Sequence, residues 1–208
     1  MSGSAGITSD ENTAVGNNSL RLLTSGAGNA ALGSSALGSN TTGGQNTALG
    51  TYALISNTTS SSNTGVGYQA GYSNTTGSQN TFVGYQSAYS NTTGVSNATL
   101  GNNSLNANST GNYNTAIGAY ALTSNTTASN NTAVGYQALY NNTTTDSVVA
   151  VGWAAGYSKT TTGSNFAQTY VGTKAGYSNT TGSNINAFGR AALYTNTTGI
   201  ENVAIGNS

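Results

Sequence analysis

Asn114-Thr115-Ala116-Ile117-Gly118 decides the fold, because it comes back. It returns as Asn131-Thr132-Ala133-Val134-Gly135, Asn46-Thr47-Ala48-Leu49-Gly50 and Asn12-Thr13-Ala14-Val15-Gly16. Its glycine serves as a register mark, at Gly16, Gly33, Gly50, Gly67, Gly84, Gly101, Gly118, Gly135 and Gly152, each 17 residues after the last. Gly172 follows after a step of 20, then Gly189 and Gly206 after steps of 17. Recurrence at a fixed period is the mark of a repeat architecture and outranks any local propensity.

Aligned on that glycine, the chain falls into columns. The residue before it is always apolar, from Val15 and Leu32 to Phe188 and Ile205, and two residues earlier stands mostly Thr or another small residue, as at Thr13, Thr47 and Thr132. Two positions apart, these columns share one face of a strand. Three residues past the glycine come only Ala or Ser, then a column of Leu, Gly or Ala, then the tyrosines Tyr72, Tyr89, Tyr140, Tyr157, Tyr177 and Tyr194. A polar turn follows, Ser73 to Gly77 in its fullest form. Each repeat thus reads as two short β-prone runs and two turns. Apolar spacing does not follow the helical period, and Gly, Asn and Thr are poor helix formers.

The pattern predicts an all-β parallel β-solenoid (β-roll) of about twelve 17-residue rungs, residues 12–208, behind a lead of residues 1–11. Small and β-branched residues suit its narrow interior. With ~4.8 Å between rungs, the rod is on the order of 55 Å long. The three extra residues before Gly172 are expected within 159–168, in a bulged turn. The chain stops midway through a repeat, at Asn202 to Ser208, without a distinct cap; the expectation is a piece of a longer repeat protein or a subunit whose ends other copies cover.

Composition narrows the function. Charged residues are 4% of the chain and net charge is zero, which leaves no footprint for nucleic acid or an anionic membrane. In a stack of in-register rungs like charges in one column repel, so scarcity of charge fits the architecture. No histidine and no cysteine remove the commonest general base and the thiolate metal ligands. No apolar run approaches the length of a membrane span, and residues 1–10 lack the basic and apolar regions of a secretory signal. Gly65-Val66-Gly67 is no phosphate loop, since no helix pattern or Lys-Ser/Thr follows. The four carboxylates are dispersed, and no nucleophile–base pairing is evident. No catalytic, metal or cofactor residue is assigned.

The repeat N-T-A-[VI]-G-x-x-[AS]-[LG]-Y-x-N-T-T-G resembles the head repeats of trimeric autotransporter adhesins. Asn114 to Gly118 followed by Ala121 is similar to their N-S-V-A-I-G strand and the small residues after it. Runs such as Asn131 to Leu139 also resemble phage tail-fibre and related surface proteins. The likeness covers Asn12 to Gly206, with a rung longer than the adhesins' by the S-N-T-T-G turn. It implies a left-handed β-roll, a homotrimer with apolar strand faces packed at a threefold axis, and an extracellular, cell-surface or virion setting.

Two columns are candidate surfaces. Asn40, Asn57, Asn74, Asn91, Asn125, Asn142, Asn179 and Asn196 each precede two hydroxyl residues, Thr-Thr in every case. They read as turn residues, as N-x-[ST] glycan acceptors, or as part of a regular threonine array for ice. The tyrosine column reads as packing along the rod or as a platform for sugar rings, which makes cell-surface glycans a partner to test. Trp153 reads as a packing change beside Lys159 and the insertion. The expectation is a non-enzymatic structural protein of a fibre or filament, self-assembling as a homotrimer or a head-to-tail polymer; the alternative is an ice- or glycan-binding solenoid.

Overall fold

A computed structural model describes residues 11–160 and 167–207. Twelve strands, β1 (Thr13–Val15) through β12 (Val203–Ile205), form one sheet in sequence order, and every neighbouring pair is parallel. The register matches the columns: Thr115 pairs with Thr132, Ala116 with Ala133 and Ile117 with Val134. The chain is a parallel β-solenoid. Across the 20-residue step, β9 (Val148–Val151) and β10 (Gln168–Val171) keep that register, Val151 opposite Val171. Of the stretch 159–168 expected to hold the extra residues, 161–166 lie outside the described residues, as does nearly all of the 1–11 lead.

Only one of the two β-prone runs is a strand. The run after the glycine is a chain of turns. Ala36 N–H donates to the Gly33 carbonyl at 3.3 Å, and Leu37 sits in the left-handed region at φ 50°. The same conformation recurs at Leu54, Leu105, Leu122 and Leu139. A leucine there costs more than a glycine. The stack holds it because its N–H still pairs with the next rung: Leu37 donates to the Ala53 carbonyl and Leu122 to the Ala138 carbonyl. Hydrogen bonding between rungs therefore continues well outside the strands, which satisfies backbone groups that a turn would otherwise leave to water. The register glycine is required for two reasons. Gly118 has φ 128°, and a Cβ on it would lie 2.5 Å from the Gly135 carbonyl oxygen of the next rung.

The interior also differs from the expectation. The β-branched column faces out, and the alanine between it and the threonine faces in: Ala116 and Ala133 are fully buried, while Ile117 is 40% exposed. The cause is the pleat acting on a three-residue strand, whose middle residue alone points inward. The apolar filling is Ala from the strand, Ala from the small column, and the left-handed Leu, as in Ala116, Ala121 and Leu122. Two rungs exchange volumes. Where Phe82 occupies the strand centre, Gly71 and Ala88 stand in the leucine column, and a Cβ on Gly71 would meet the Phe82 ring at 2.5 Å. Where Tyr170 does so, Gly156 and Gly176 flank it. Near-constant volume at close packing explains why the leucine column switches to Gly at those places. Between the halves, Thr99, Ser87 and Ser104 form a buried hydroxyl network that divides the apolar core in two.

Candidate functional site

The asparagine column expected at the surface is inside. Asn40, Asn57, Asn74, Asn91, Asn125, Asn142 and Asn179 are all fully buried, and Asn196 is half-buried. Except at Asn179 the amide closes its own turn: Asn74 Nδ2 donates to the Gly77 carbonyl at 2.9 Å, and Asn91 Nδ2 to that of Gly94 at 3.1 Å. From Asn57 to Asn125 the amide also donates to the oxygen of the previous rung, as Asn91 does to Asn74 at 2.8 Å and Asn108 to Asn91 at 2.6 Å. The folded rod therefore does not present the seven buried amides as a surface array or as glycan acceptors. The polar turn turns inward because its corner holds carbonyls that need donors, and an amide side chain supplies them away from water.

A second amide ladder runs beside the first, from the asparagines that lead each strand. Asn97 Oδ1 accepts from both Asn114 N–H at 2.9 Å and Asn114 Nδ2 at 3.2 Å, and Asn114 Nδ2 reaches the Ala128 carbonyl at 2.9 Å. Asn29, Asn46, Asn63 and Asn80 repeat this pattern. The signal was an asparagine four residues before most register glycines, a column to which the sequence pattern alone assigned no role.

Both ladders fail in the same region. Val148, Gln168 and Ile185 replace the strand-leading asparagine, and Lys159 replaces the turn asparagine. Lys159 is fully buried; its Nζ donates to the Gly182 carbonyl at 2.6 Å and to Asn179 Oδ1 at 3.4 Å. Lysine offers no acceptor, so Asn179 turns its oxygen toward it and its Nδ2 is left without a partner. Asn125 Oδ1, Asn131 Nδ2 and Asn142 Oδ1 are orphaned as well. Burial pushes the Lys159 ammonium down to about 8.

Four outward columns remain. On the strand face, the apolar column is exposed, with Leu100 at 53% and Ile117 at 40%. On the turn, the two threonines separate. The first uses its hydroxyl between rungs, as Thr75 Oγ1 does to the Thr92 carbonyl at 3.0 Å. The second, at Thr42, Thr59, Thr76, Thr93, Thr110 and Thr127, is exposed in every case. The expected tyrosines are half-buried and stack on one another: Tyr72 on Tyr89 at 4.9 Å, and Tyr140, Tyr157, Tyr177 and Tyr194 in one file at 5.1, 5.0 and 5.1 Å. Burial first, then the Tyr177 and Tyr140 rings, raise the Tyr157 phenol above its usual value. A second aromatic column, in which the sequence singled out only Trp153 and as packing, holds Tyr68, Tyr85, Tyr136 and Trp153 directly after the register glycine, all exposed. Trp153 does not lie against the buried Lys159; Lys174 of the next rung sits over its ring, 4.6 Å from the centroid.

Among the described residues no group of acidic, histidine or cysteine side chains is arranged to hold a metal, and no helix is long and apolar enough to cross a membrane. The chain matches no protein-family model, no curated protein and no solved structure.

Proposed function

We propose that the chain is a non-enzymatic structural rod that assembles side by side with copies of itself through its strand face, as part of an extracellular fibre or filament. The observation that supports this reading is the outward apolar column. It runs from Val15 to Ile205 without a polar interruption, beside a column of Thr, Ala, Val and Asn, and neither column contains a charge. A contiguous apolar stripe of that length is unusual on a protein that works alone. Its natural partner has the same ~4.8 Å spacing along its whole length, because only then does each side chain meet an equivalent gap. A second copy meets that condition by construction. The resemblance to adhesin heads and tail fibres favours the same face.

Mass measurement in solution tests it. The chain is expected to be an oligomer at micromolar concentration, and Leu100→Glu with Val134→Glu, two rungs apart, is expected to return a folded monomer. A wild-type chain that stays monomeric under those conditions overturns the reading. A second reading, ice binding, is favoured by the exposed threonine column on the turn. It predicts thermal hysteresis that survives in the monomeric variant and disappears in Thr93→Lys with Thr110→Lys.

A further inference from the structure

We propose that a notch on the side of the rod, between Trp153 and Arg190, binds one carboxylate-bearing ring of an acidic saccharide. In the column after the register glycine, Trp153, Thr173 and Arg190 follow one another rung by rung. Two long side chains thus flank a short one, and the gap above Thr173 is a cavity of about 280 Å³ lined by Trp153, Thr173, Lys174, Arg190, Ala191 and Tyr194. That is at the small end of ligand sites, room for a single ring rather than a chain.

The chemistry of the lining selects the ring. Lys174 and Arg190 are two of only four basic residues in the chain, and Lys159, a third, is buried elsewhere. None of the described carboxylates, Glu11, Asp146 and Glu201, lines the notch. Lys174 is positioned by aromatic faces instead: its Nζ is 4.6 Å from the Trp153 centroid, 5.5 Å from that of Tyr177 and 5.9 Å from that of Tyr194. A cation held over rings keeps N–H donors for an anion, and the Arg190 guanidinium offers the planar fork that suits a carboxylate. Trp153, 48% exposed, and Tyr194 supply apolar surface, and Thr173 lines the notch with them and brings a hydroxyl. A pyranose acid presents the matching set: a C–H face, hydroxyls and one carboxylate. Two cations are too few to track a nucleic-acid backbone, whose binding rests on many phosphate contacts.

The site lies within one chain, so it stands or falls separately from self-assembly. Its test is titration of the full chain with oligogalacturonate, alginate oligomers and sialyllactose, each beside an uncharged counterpart: the methyl esters, and lactose. At least one acid is expected to bind, with its neutral counterpart weaker by about tenfold or more, the loss expected when a charged hydrogen-bond partner is removed. Arg190→Ala, Lys174→Gln and Trp153→Ala should each weaken it comparably. Thr173→Tyr keeps both charges and places in the notch a residue that the same column carries at Tyr136; it should block binding while the thermal unfolding curve stays unchanged. Arg21→Ala, far along the rod, should change nothing. Binding of none of the three acids, equal binding of acid and ester, binding that survives Thr173→Tyr, or an Arg21→Ala loss as large as that of Arg190→Ala overturns the proposal.

Discussion

From Asn12 to Asn131 the interior corner of the rod is lined by amides that hydrogen-bond from rung to rung; from Val148 to Ile185 it is not. The backbone register is nevertheless the same on both sides, with Ala133 opposite Ala150 and Tyr170 opposite Ala187. Register is therefore set by the glycine and the strand, while the ladders do something else: they satisfy the corner carbonyls. Where asparagine is missing, other groups take that task. Lys159 and Gln168 both donate to the Gly182 carbonyl, and the Tyr170 hydroxyl donates to Gln168 Oε1. The regular region rests on repeated polar contacts, and the interrupted one on a large buried ring with one amide and one ammonium. In a quasi-one-dimensional stack such differences stay local, so each region can be perturbed separately and read by hydrogen exchange along the chain.

The largest effect is expected in the interrupted region. Tyr170→Ala empties the space between Gly156 and Gly176, which have no side chains to collapse into it, and removes the donor to Gln168. A loss of about 3–5 kcal/mol is expected for a ring of this size. Adding Gly176→Leu should recover part of it, because the rungs with Ala at the strand centre carry a left-handed Leu there, as at Leu122 with Ala116. No recovery in the double variant would mean that the volume exchange is incidental.

A smaller and asymmetric effect separates the ladders themselves. Asn91→Ala removes a donor from Asn74 Oδ1, an acceptor from Asn108 Nδ2 and one of two donors to the Gly94 carbonyl. About 2–3 kcal/mol is expected for groups left buried and unpaired. Asn142→Ala should cost less, below about 1.5 kcal/mol, because Asn142 bonds the Thr145 carbonyl but its oxygen already faces no donor. Equal losses in urea titrations of the two variants would show that the ladder adds nothing beyond closure of a single turn.

These contrasts explain what was legible. The recurring glycine exposes itself, because a φ of 128° with a carbonyl 2.5 Å from any Cβ admits no substitute. Rung count and pairing follow directly. The path after the glycine was not legible, since leucine at φ 50° contradicts its intrinsic preference and is imposed by neighbouring rungs. The asparagines misled for a related reason: a polar triplet reads as solvated turn unless the donors that a buried corner needs are counted first. Trp153, Lys174 and Arg190 were visible all along in adjacent columns of successive rungs. Their juxtaposition breaks the column pattern rather than repeating it, so periodicity carries no sign of it.

The smallest expected effect bears on why a lysine interrupts the ladder at all. Lys159 in the folded rod sits at about 8 rather than 10.5, so between those values the unfolded chain binds more protons than the folded one. Stability must then rise as pH increases through that window, and the full penalty is present below it. From pH 7.5 to 9.5 the gain should be on the order of 1 kcal/mol, allowing for partial hydration. The measurement ends at pH 9.5 because burial raises the Tyr170 phenol and so turns the slope downward at higher pH. Trp153 is the only tryptophan and lies on the rung of Lys159, so its fluorescence in urea reports the right place. Lys159→Asn should be flat across the window and more stable than wild type at its lower end, since the amide can accept from Asn179 Nδ2 and extend the ladder by one rung. A wild-type midpoint that does not move between pH 7.5 and 9.5 would place the ammonium in contact with water, and the interrupted region would then be open at that corner rather than closed by a buried charge.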